Sequence, residues 1–160
     1  MTKTAVQFRH NETDVAVFVD GAANLLAVLR DGIGDVAPKY GCGQGTCGVC
    51  TVLIDGEPHL SCLTLAESCQ GRSVETAAGL KNGPELHPLQ LAFMQHFAAQ
   101  CGFCTPGMLM AAKALLDRNP APTREDVAEA ISGNICRCTG YEPIVNAILA
   151  AASHDDARRA

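Results

Sequence analysis

Nine cysteines in 160 residues constrain this chain more than any other feature of its sequence. Disulfides need an oxidising compartment, and an exported chain normally begins with basic residues followed by an apolar run. Residues 1–10 contain no such run, and the cysteines are odd in number and tightly clustered. This pattern favours metal binding in a reducing compartment, and we expect a cytoplasmic protein.

One group of cysteines has the spacing of an iron–sulfur site. Its members are Cys42, Cys47, Cys50 and Cys62. Gaps of four and then two residues between the first three are typical of plant-type ferredoxins, which hold a [2Fe–2S] cluster. Glycines surround them and allow a backbone to approach a cluster closely. A turn at Asp55-Gly56 would return the chain to Cys62. A four-cysteine zinc site is the alternative, but zinc prefers two short knuckles, so we predict a cluster.

A second group combines two short pairs of cysteines. Its members are Cys101, Cys104, Cys136 and Cys138. Each pair falls between two predicted helices, so four helix ends would converge on one metal site, and helix N-termini favour thiolates. Zinc is also held by two short knuckles. Spacing alone therefore leaves zinc and iron–sulfur equally open for this group.

Few other residues suggest chemistry. Cys69 is the unpaired cysteine, and we expect it to be a small buried residue of the first half. None of the five histidines is spaced as a ligand from another residue, which argues against a Rieske-type site. No Ser-His-Asp grouping, phosphate-binding loop or paired carboxylates can be identified, so we expect no bond chemistry from this chain alone.

The sequence predicts an α+β chain of two halves. Residues 4–9 and 14–19 read as a hairpin around a four-residue connection, and residues 24–30 as a short helix. A second hairpin (51–54 and 57–60) and a strand at 73–75 follow. Later apolar spacings and capping signals predict four helices. They cover 86–99, 105–117 with Thr105 as the N-cap, 123–131, and 143 to about 152.

These elements suggest domain limits. We expect a first domain over residues 1–76, a linker over 77–85, a helical domain over 86–152 and a frayed tail over 153–160. The formal charge of −5 and a pI near 5.4 argue against nucleic-acid binding. No apolar stretch approaches the roughly 20 residues that cross a bilayer, so we expect no membrane span.

Three motifs together resemble the small iron–sulfur subunits of the xanthine oxidase family of molybdenum hydroxylases. They are Gly41-Cys-Gly-Gln-Gly-Thr-Cys-Gly-Val-Cys-Thr-Val, Gln100-Cys-Gly-Phe-Cys-Thr-Pro-Gly-Met and Gly133-Asn-Ile-Cys-Arg-Cys-Thr-Gly-Tyr. Similar subunits occur in aerobic carbon monoxide dehydrogenase, isoquinoline and nicotine oxidoreductases, and 4-hydroxybenzoyl-CoA reductase. The resemblance runs from about residue 5 to residue 152.

The resemblance implies a fold, ligands and partners. The fold is a plant-type β-grasp ferredoxin domain followed by an all-α, four-helix [2Fe–2S]-binding domain. The first cysteine group would hold the distal cluster and the second group the cluster nearest molybdenum. Gln100 and Cys138 would contact molybdopterin, in its cytosine dinucleotide form, on a large subunit.

The complex implied by the resemblance is an oxidoreductase in which this chain is a non-catalytic electron-transfer subunit. It would hydroxylate or oxidise a small substrate, such as a heterocycle, an aldehyde or carbon monoxide, with oxygen from water. Electrons would enter at the second cysteine group and leave from the first, for an FAD-containing flavin subunit or a cytochrome. The alternatives are a free-standing two-cluster ferredoxin and a zinc-stabilised interaction module without redox function.

Two positions depart from the family pattern. The first hairpin has Asn11-Glu12 in what we expect to be a longer turn, where the family often has Asn-Gly. Val36-Ala-Pro-Lys39 stands where the family usually has Gly-Thr-Lys. Neither segment includes a proposed ligand, so the cluster assignment does not depend on them.

Overall fold

The computed structural model describes residues 3–159, with side chains described for residues 3–153. The first half contains β1 (Lys3–His10), β2 (Thr13–Asp20), α1 (Leu25–Ala27) continuing as a π-helical turn (Val28–Ile33), β3 (Thr51–Ile54), β4 (Glu57–Leu60), a 3-10 turn (Ala66–Cys69) and β5 (Ser73–Glu75). The second half contains α2 (Pro88–Gln95), α3 (Thr105–Arg118), α4 (Arg124–Ala130) and α5 (Glu142–Arg159). No helix among residues 3–159 is long and apolar enough to cross a bilayer.

The strands form one mixed sheet in the order β2-β1-β5-β3-β4. Strand β1 pairs antiparallel with β2 and parallel with β5, while β3 pairs antiparallel with both β5 and β4. The predicted strands and both hairpins are therefore confirmed. A mixed sheet followed by helices also agrees with the predicted α+β class.

Strand β3 contributes to two hydrophobic cores. Its side chains alternate between the faces of the sheet, so Val52 and Ile54 join the core of the first half. Leu53 points the other way, into the core of the helices, where α3 packs on β3. All four residues of β3 are consequently buried. The two halves are packed together through this strand.

The first hairpin is tighter than predicted. His10 pairs directly with Thr13, which leaves only Asn11 and Glu12 in the turn. Both have positive φ, 45° and 72°, as a type I′ hairpin turn requires. The expectation of a longer turn was wrong because a glutamate can be held in a conformation that usually selects glycine. The sequence pattern therefore gave no sign of this turn type.

Helix α2 is shorter than the predicted range of 86–99 and spans Pro88–Gln95. His87 is its N-cap, in a capping box with Gln90, and proline suits the first position after such a cap. At the other end Phe97 has a φ of +52°, which is incompatible with a continuing right-handed helix. Apolar spacing continued past both ends, so periodicity alone overestimated the helix.

The structure confirms the last three predicted helices, but some of their ends differ from the predicted ones. Cys104, not Thr105, is the N-cap of α3, and the Thr105 hydroxyl is buried with no hydrogen-bond partner among the described residues. Thr123 caps α4 with a capping box, as predicted. Helix α5 continues to Arg159 instead of ending near Ala152, because residues 144–159 contain no glycine or proline. The predicted tail is therefore helical over residues 153–159.

A buried polar cluster joins the first hairpin to the end of the first half. The Asp35 carboxylate lies 2.9 Å from His10 Nε2 and accepts a 2.6 Å hydrogen bond from Thr76 Oγ1. The Asn11 side chain donates a hydrogen bond to the same Thr76 hydroxyl, and it accepts one from the Thr76 backbone amide. The Asp35 side chain is only 5% exposed. Burial raises the pKa of Asp35, but hydrogen bonds from His10, Thr76 and Ala37 outweigh it and lower that pKa to about 2.

Replacing Glu12 with glycine should stabilise the protein. Holding a non-glycine residue at positive φ costs about 1 kcal/mol, so Glu12→Gly should raise the free energy of unfolding by about that amount in urea titrations. Asn11→Gly is the matched control in the same turn. It should instead lose stability, because it removes the hydrogen bonds to Thr76. Equal effects of the two substitutions would contradict this account.

The Asp35 cluster should make stability depend on acid pH. A carboxyl whose pKa is lower in the folded state stabilises that state above its unfolded pKa. This contribution, about 2 kcal/mol, should be lost as the pH falls from about 4 towards about 2. The difference in unfolding free energy between the wild type and Asp35→Asn should shrink over that range. A difference that stays constant with pH would contradict the assignment.

Candidate metal centres

The first cysteine group lies where a glycine-rich loop meets the β3–β4 hairpin. Cys50 immediately precedes β3 and Cys62 follows β4. The pairing of these strands returns the chain, so that the Cys62 thiol lies in contact with Cys50. Cys42 contacts Cys47 in the loop itself. The four sulfur atoms are thus organised as two neighbouring pairs.

Hydrogen bonds prepare one thiol of this loop for metal binding. The Thr46 amide nitrogen lies 3.3 Å from Cys42 Sγ. Hydrogen bonds from the Thr46 side chain, the Gln44 backbone and Cys47 lower the pKa of Cys42 to about 5. A thiolate is the form of cysteine that binds metals. Burial and the neighbouring Cys50, in contrast, raise the pKa of Cys62 to about 11.

Close contacts explain two of the loop glycines. A Cβ atom at Gly41 would lie 2.9 Å from Cys47 Sγ, so a side chain would displace a sulfur. Gly45 has a φ of +82°, and its Cβ would lie 2.6 Å from the Leu63 side chain. The sequence analysis connected these glycines with close backbone approach. The structure adds that they leave room for a cysteine and for the residue after Cys62.

The second group is also arranged as two pairs, one exposed and one buried. The sulfur atoms of Cys101 and Cys138 lie 3.6 Å apart at the surface. Cys104 and Cys136 contact one another in the interior. Burial and the Cys136 thiol raise the pKa of Cys104 to about 12. All nine cysteines are free thiols, and none forms a disulfide.

Residues next to Cys136 support it in ways that ligand spacing did not reveal. Thr139 Oγ1 donates to Cys136 Sγ at 3.1 Å, and it accepts a bond from the Tyr141 amide. Tyr141 Oη accepts a 3.0 Å bond from the Cys136 amide. Burial raises the pKa of Cys136, but hydrogen bonds from Thr139, the Cys138 backbone and Cys104 together outweigh it and lower that pKa. Thr139 and Tyr141 both belong to the motif that runs from Gly133 to Tyr141, and this motif was the signal in the sequence that could have identified them.

The arrangement of the thiols fits binuclear clusters. A single ion with four protein ligands needs all four around one point. Two irons bridged by sulfide need two cysteines each, which four neighbouring pairs can supply. Eight thiols in four pairs therefore fit two [2Fe–2S] clusters.

Both candidate centres lie beside exposed apolar side chains. Phe103 and Ile135 are exposed within the segments that carry the second group. Gln100 is also exposed, in the connection between α2 and Cys101. Near the first group, Tyr40 and Leu63 are exposed although they contact the loop glycines. Each centre therefore has a surface on which another protein could pack.

Two sequence families match the chain in succession. Residues 8–78 match the family described as "2Fe-2S iron-sulfur cluster binding domain". Residues 76–149 match the family described as "[2Fe-2S] binding domain". The two matches meet at residues 76–78, between β5 and α2. Each contains one of the two cysteine groups.

Individual proteins are similar over most of the chain. The nicotine 6-hydroxylase small subunit of Paenarthrobacter nicotinovorans is 53% identical over 133 residues, 83% of this chain and 80% of that protein. The aldehyde oxidoreductase of Megalodesulfovibrio gigas is 44% identical over 146 residues, which cover 89% of this chain but only 16% of that protein. A chain of quinoline 2-oxidoreductase from Pseudomonas putida 86 superposes with a TM-score of 0.93 at 47% identity, covering 98% of this chain and 97% of that one.

Cys69 should have no part in metal binding. It is fully buried in the core of the first half, and its Sγ lies 3.9 Å from the Leu65 carbonyl oxygen. Cys69→Ala should lower the free energy of unfolding by about 1–2 kcal/mol through lost packing, with unchanged iron content and visible absorption. Cys62→Ser is the control and should lose iron. A changed spectrum in Cys69→Ala would make Cys69 a ligand.

Proposed function

The chain belongs to the small [2Fe–2S] subunits of the xanthine oxidase family of molybdenum hydroxylases, and on that premise we propose which residues perform its electron-transfer function. Cys42, Cys47, Cys50 and Cys62 hold one cluster. Cys101, Cys104, Cys136 and Cys138 hold the other. When bound, each cluster supplies a group that takes up and releases a single electron. The observation that carries this assignment is the grouping of the eight thiols into four pairs.

The protein environment of the thiols suits this role. Hydrogen bonds to Cys42 and Cys136 stabilise negative charge on sulfur, and such bonds are one way in which proteins tune cluster potentials. Burial of Cys104 and Cys50 keeps water from one side of each centre. These side chains hold and tune the metal group, and no residue is assigned to bond chemistry.

We further propose that the second centre faces a large molybdopterin-binding subunit. Gln100 and Cys138 contact the molybdopterin there, in its cytosine dinucleotide form. Both residues are exposed, and the neighbouring Phe103 and Ile135 offer an apolar surface for packing. The aldehyde oxidoreductase relative supports this partnership, because the similar stretch is a small part of one much longer chain.

The first centre faces the electron acceptor in this proposal. The acceptor is a flavin subunit with FAD or a cytochrome. Tyr40 and Leu63 form an apolar rim beside this centre. In sequence, both residues are distant from the proposed molybdopterin contacts. A separate apolar surface at each centre supports a chain that connects two partners.

The complex hydroxylates or oxidises a small substrate with oxygen from water. Relatives named for nicotine and quinoline support an aromatic heterocycle as the substrate class. A cytoplasmic location suits nine free thiols, because a reducing compartment prevents their oxidation to disulfides. Isotope-labelled water in assays of the purified complex with nicotine and quinoline tests the reaction, since the product should carry the label.

The domain assignment completes the proposal. Residues 1–76 form a β-grasp ferredoxin domain, residues 77–85 a linker and residues 86–152 a four-helix domain. The five-stranded sheet crossed by one helix supports the first assignment. The meeting of the two family matches at residues 76–78 supports the boundary.

The purified protein should contain two clusters. Two [2Fe–2S] clusters predict about four iron atoms and four acid-labile sulfides per chain, with little zinc. Elemental analysis and sulfide determination measure these contents. Cys47→Ser and Cys104→Ser should each lose the iron of one centre, whereas Cys69→Ala should lose none.

Two results would contradict the proposal. A colourless protein rich in zinc would make the chain an interaction module without redox function. The second result concerns co-expression with the neighbouring genes. If the chain then carries two full clusters but never co-purifies with a molybdenum-containing subunit, it is a free-standing ferredoxin.

A further inference from the structure

A buried asparagine connects the two candidate centres. Asn134 lies two residues before Cys136, and only 5% of its surface is exposed. Its Nδ2 donates to the Gly48 carbonyl oxygen at 2.8 Å and lies 3.3 Å from Thr51 Oγ1. Gly48 is the residue after Cys47 in the loop of the first centre. One side chain from the second loop thus reaches the first loop across 86 residues of sequence.

A backbone hydrogen bond runs beside this contact. The amide of Ile135 donates to the Cys47 carbonyl oxygen at 2.9 Å. Cys47 is a proposed ligand of the first centre, and Ile135 precedes Cys136, a proposed ligand of the second. The two loops are therefore hydrogen-bonded at a point directly next to one ligand of each centre.

The contact between the two loops is too close for a side chain at either neighbouring glycine. A Cβ atom at Gly48 would lie 2.4 Å from the Gly133 carbonyl oxygen. A Cβ atom at Gly107, near the start of α3, would lie 2.3 Å from the Gly48 carbonyl oxygen and 3.0 Å from Asn134 Nδ2. The two distances to carbonyl oxygens are shorter than those that real Cβ atoms show. Backbone from three segments meets here, and the asparagine amide fills the remaining position.

We propose that Asn134 is a positioning residue that fixes the separation and relative orientation of the two cluster centres. The inference rests on the proposed function, because it presumes a cluster on each cysteine group. Asn134 touches neither group of thiols in this role. It donates to the Gly48 carbonyl oxygen of the first loop and thereby holds the second loop, with Cys136, against Cys47. Electron exchange between two centres weakens steeply with their separation, so a fixed contact between the loops keeps that exchange fast.

The hydrogen bond from Asn134 differs from the other hydrogen bonds to the Gly48 carbonyl oxygen. Gly48 O also accepts hydrogen bonds from the amide and hydroxyl of Thr51, at 3.1 Å and 2.7 Å. Those two bonds stay within the first half. Within residues 3–153, the Asn134 side chain is the one donor that joins this carbonyl oxygen to the second half, so its loss should change the distance between the centres more than the shape of either loop.

The test measures magnetic coupling between the two reduced clusters in the intact complex. Two nearby paramagnetic centres split each other's electron paramagnetic resonance signals at low temperature, and the splitting depends on their separation and orientation. In Asn134→Ala we expect unchanged iron content, both cluster signals present, and the mutual splitting reduced or lost. Rapid-freeze measurements should show slower redistribution of the first electron between the centres.

Two further variants distinguish positioning from stability. Gly107→Ala should open the same contact from α3 and change the splitting in the same way. Asn119→Ala is the matched control, because it removes an asparagine of the helical half that also makes two side-chain hydrogen bonds, to Asp126 and Ala121. It should reduce stability while leaving the splitting unchanged.

The outcomes separate this inference from the proposed function. A wild-type protein without two coupled cluster signals would overturn the proposed function. Coupled clusters in the wild type, with unchanged splitting in an Asn134→Ala protein that retains its iron, would overturn the positioning role alone. Loss of iron from both centres in both Asn134→Ala and Gly107→Ala would also overturn it, because Asn134 would then be needed for folding.

Discussion

The hydrogen bonds to one carbonyl oxygen, that of Gly48, hold together the parts of the chain that matter for function. This oxygen accepts donors from Thr51, at the start of β3, and from Asn134, near the second cysteine group. Gly107 of α3 packs against it with no room for a side chain. Strand β3, helix α3 and both ligand loops are therefore positioned relative to a single atom.

Electrostatics at the thiols follow from this packing. Residues that pack tightly around Cys104 exclude water, and burial raises the pKa of that thiol to about 12. The more open loop around Cys42 supplies hydrogen-bond donors and lowers its pKa to about 5. Metal binding requires thiolates, so it must release protons from the buried cysteines in particular. Hydrogen bonds from the loops and the bound metal together supply the stabilisation that burial removes.

Local signals in the sequence predicted the parts of the fold that depend on local chemistry. Asp55-Gly56 identified one hairpin, and Thr123 identified the start of α4, because turn and cap preferences act over a few residues. The type I′ turn at Glu12 and the early end of α2 at Phe97 could not be read in this way. Both place a residue other than glycine at positive φ, which local residue preferences do not predict. The second cysteine group was ambiguous for a related reason, since spacing does not show that its sulfurs lie in two pairs.

The distance along the chain between the two ligand loops has a consequence for biosynthesis. Asn134 is made 86 residues after Gly48, its hydrogen-bond partner. At typical synthesis rates this interval lasts roughly 4–17 seconds. During that time the first loop is present in the cell without the segment that later covers it. Delivery of iron and sulfide to the first four cysteines can therefore begin while the ribosome is still translating, whereas the second centre can form only after Cys136 and Cys138 have been made.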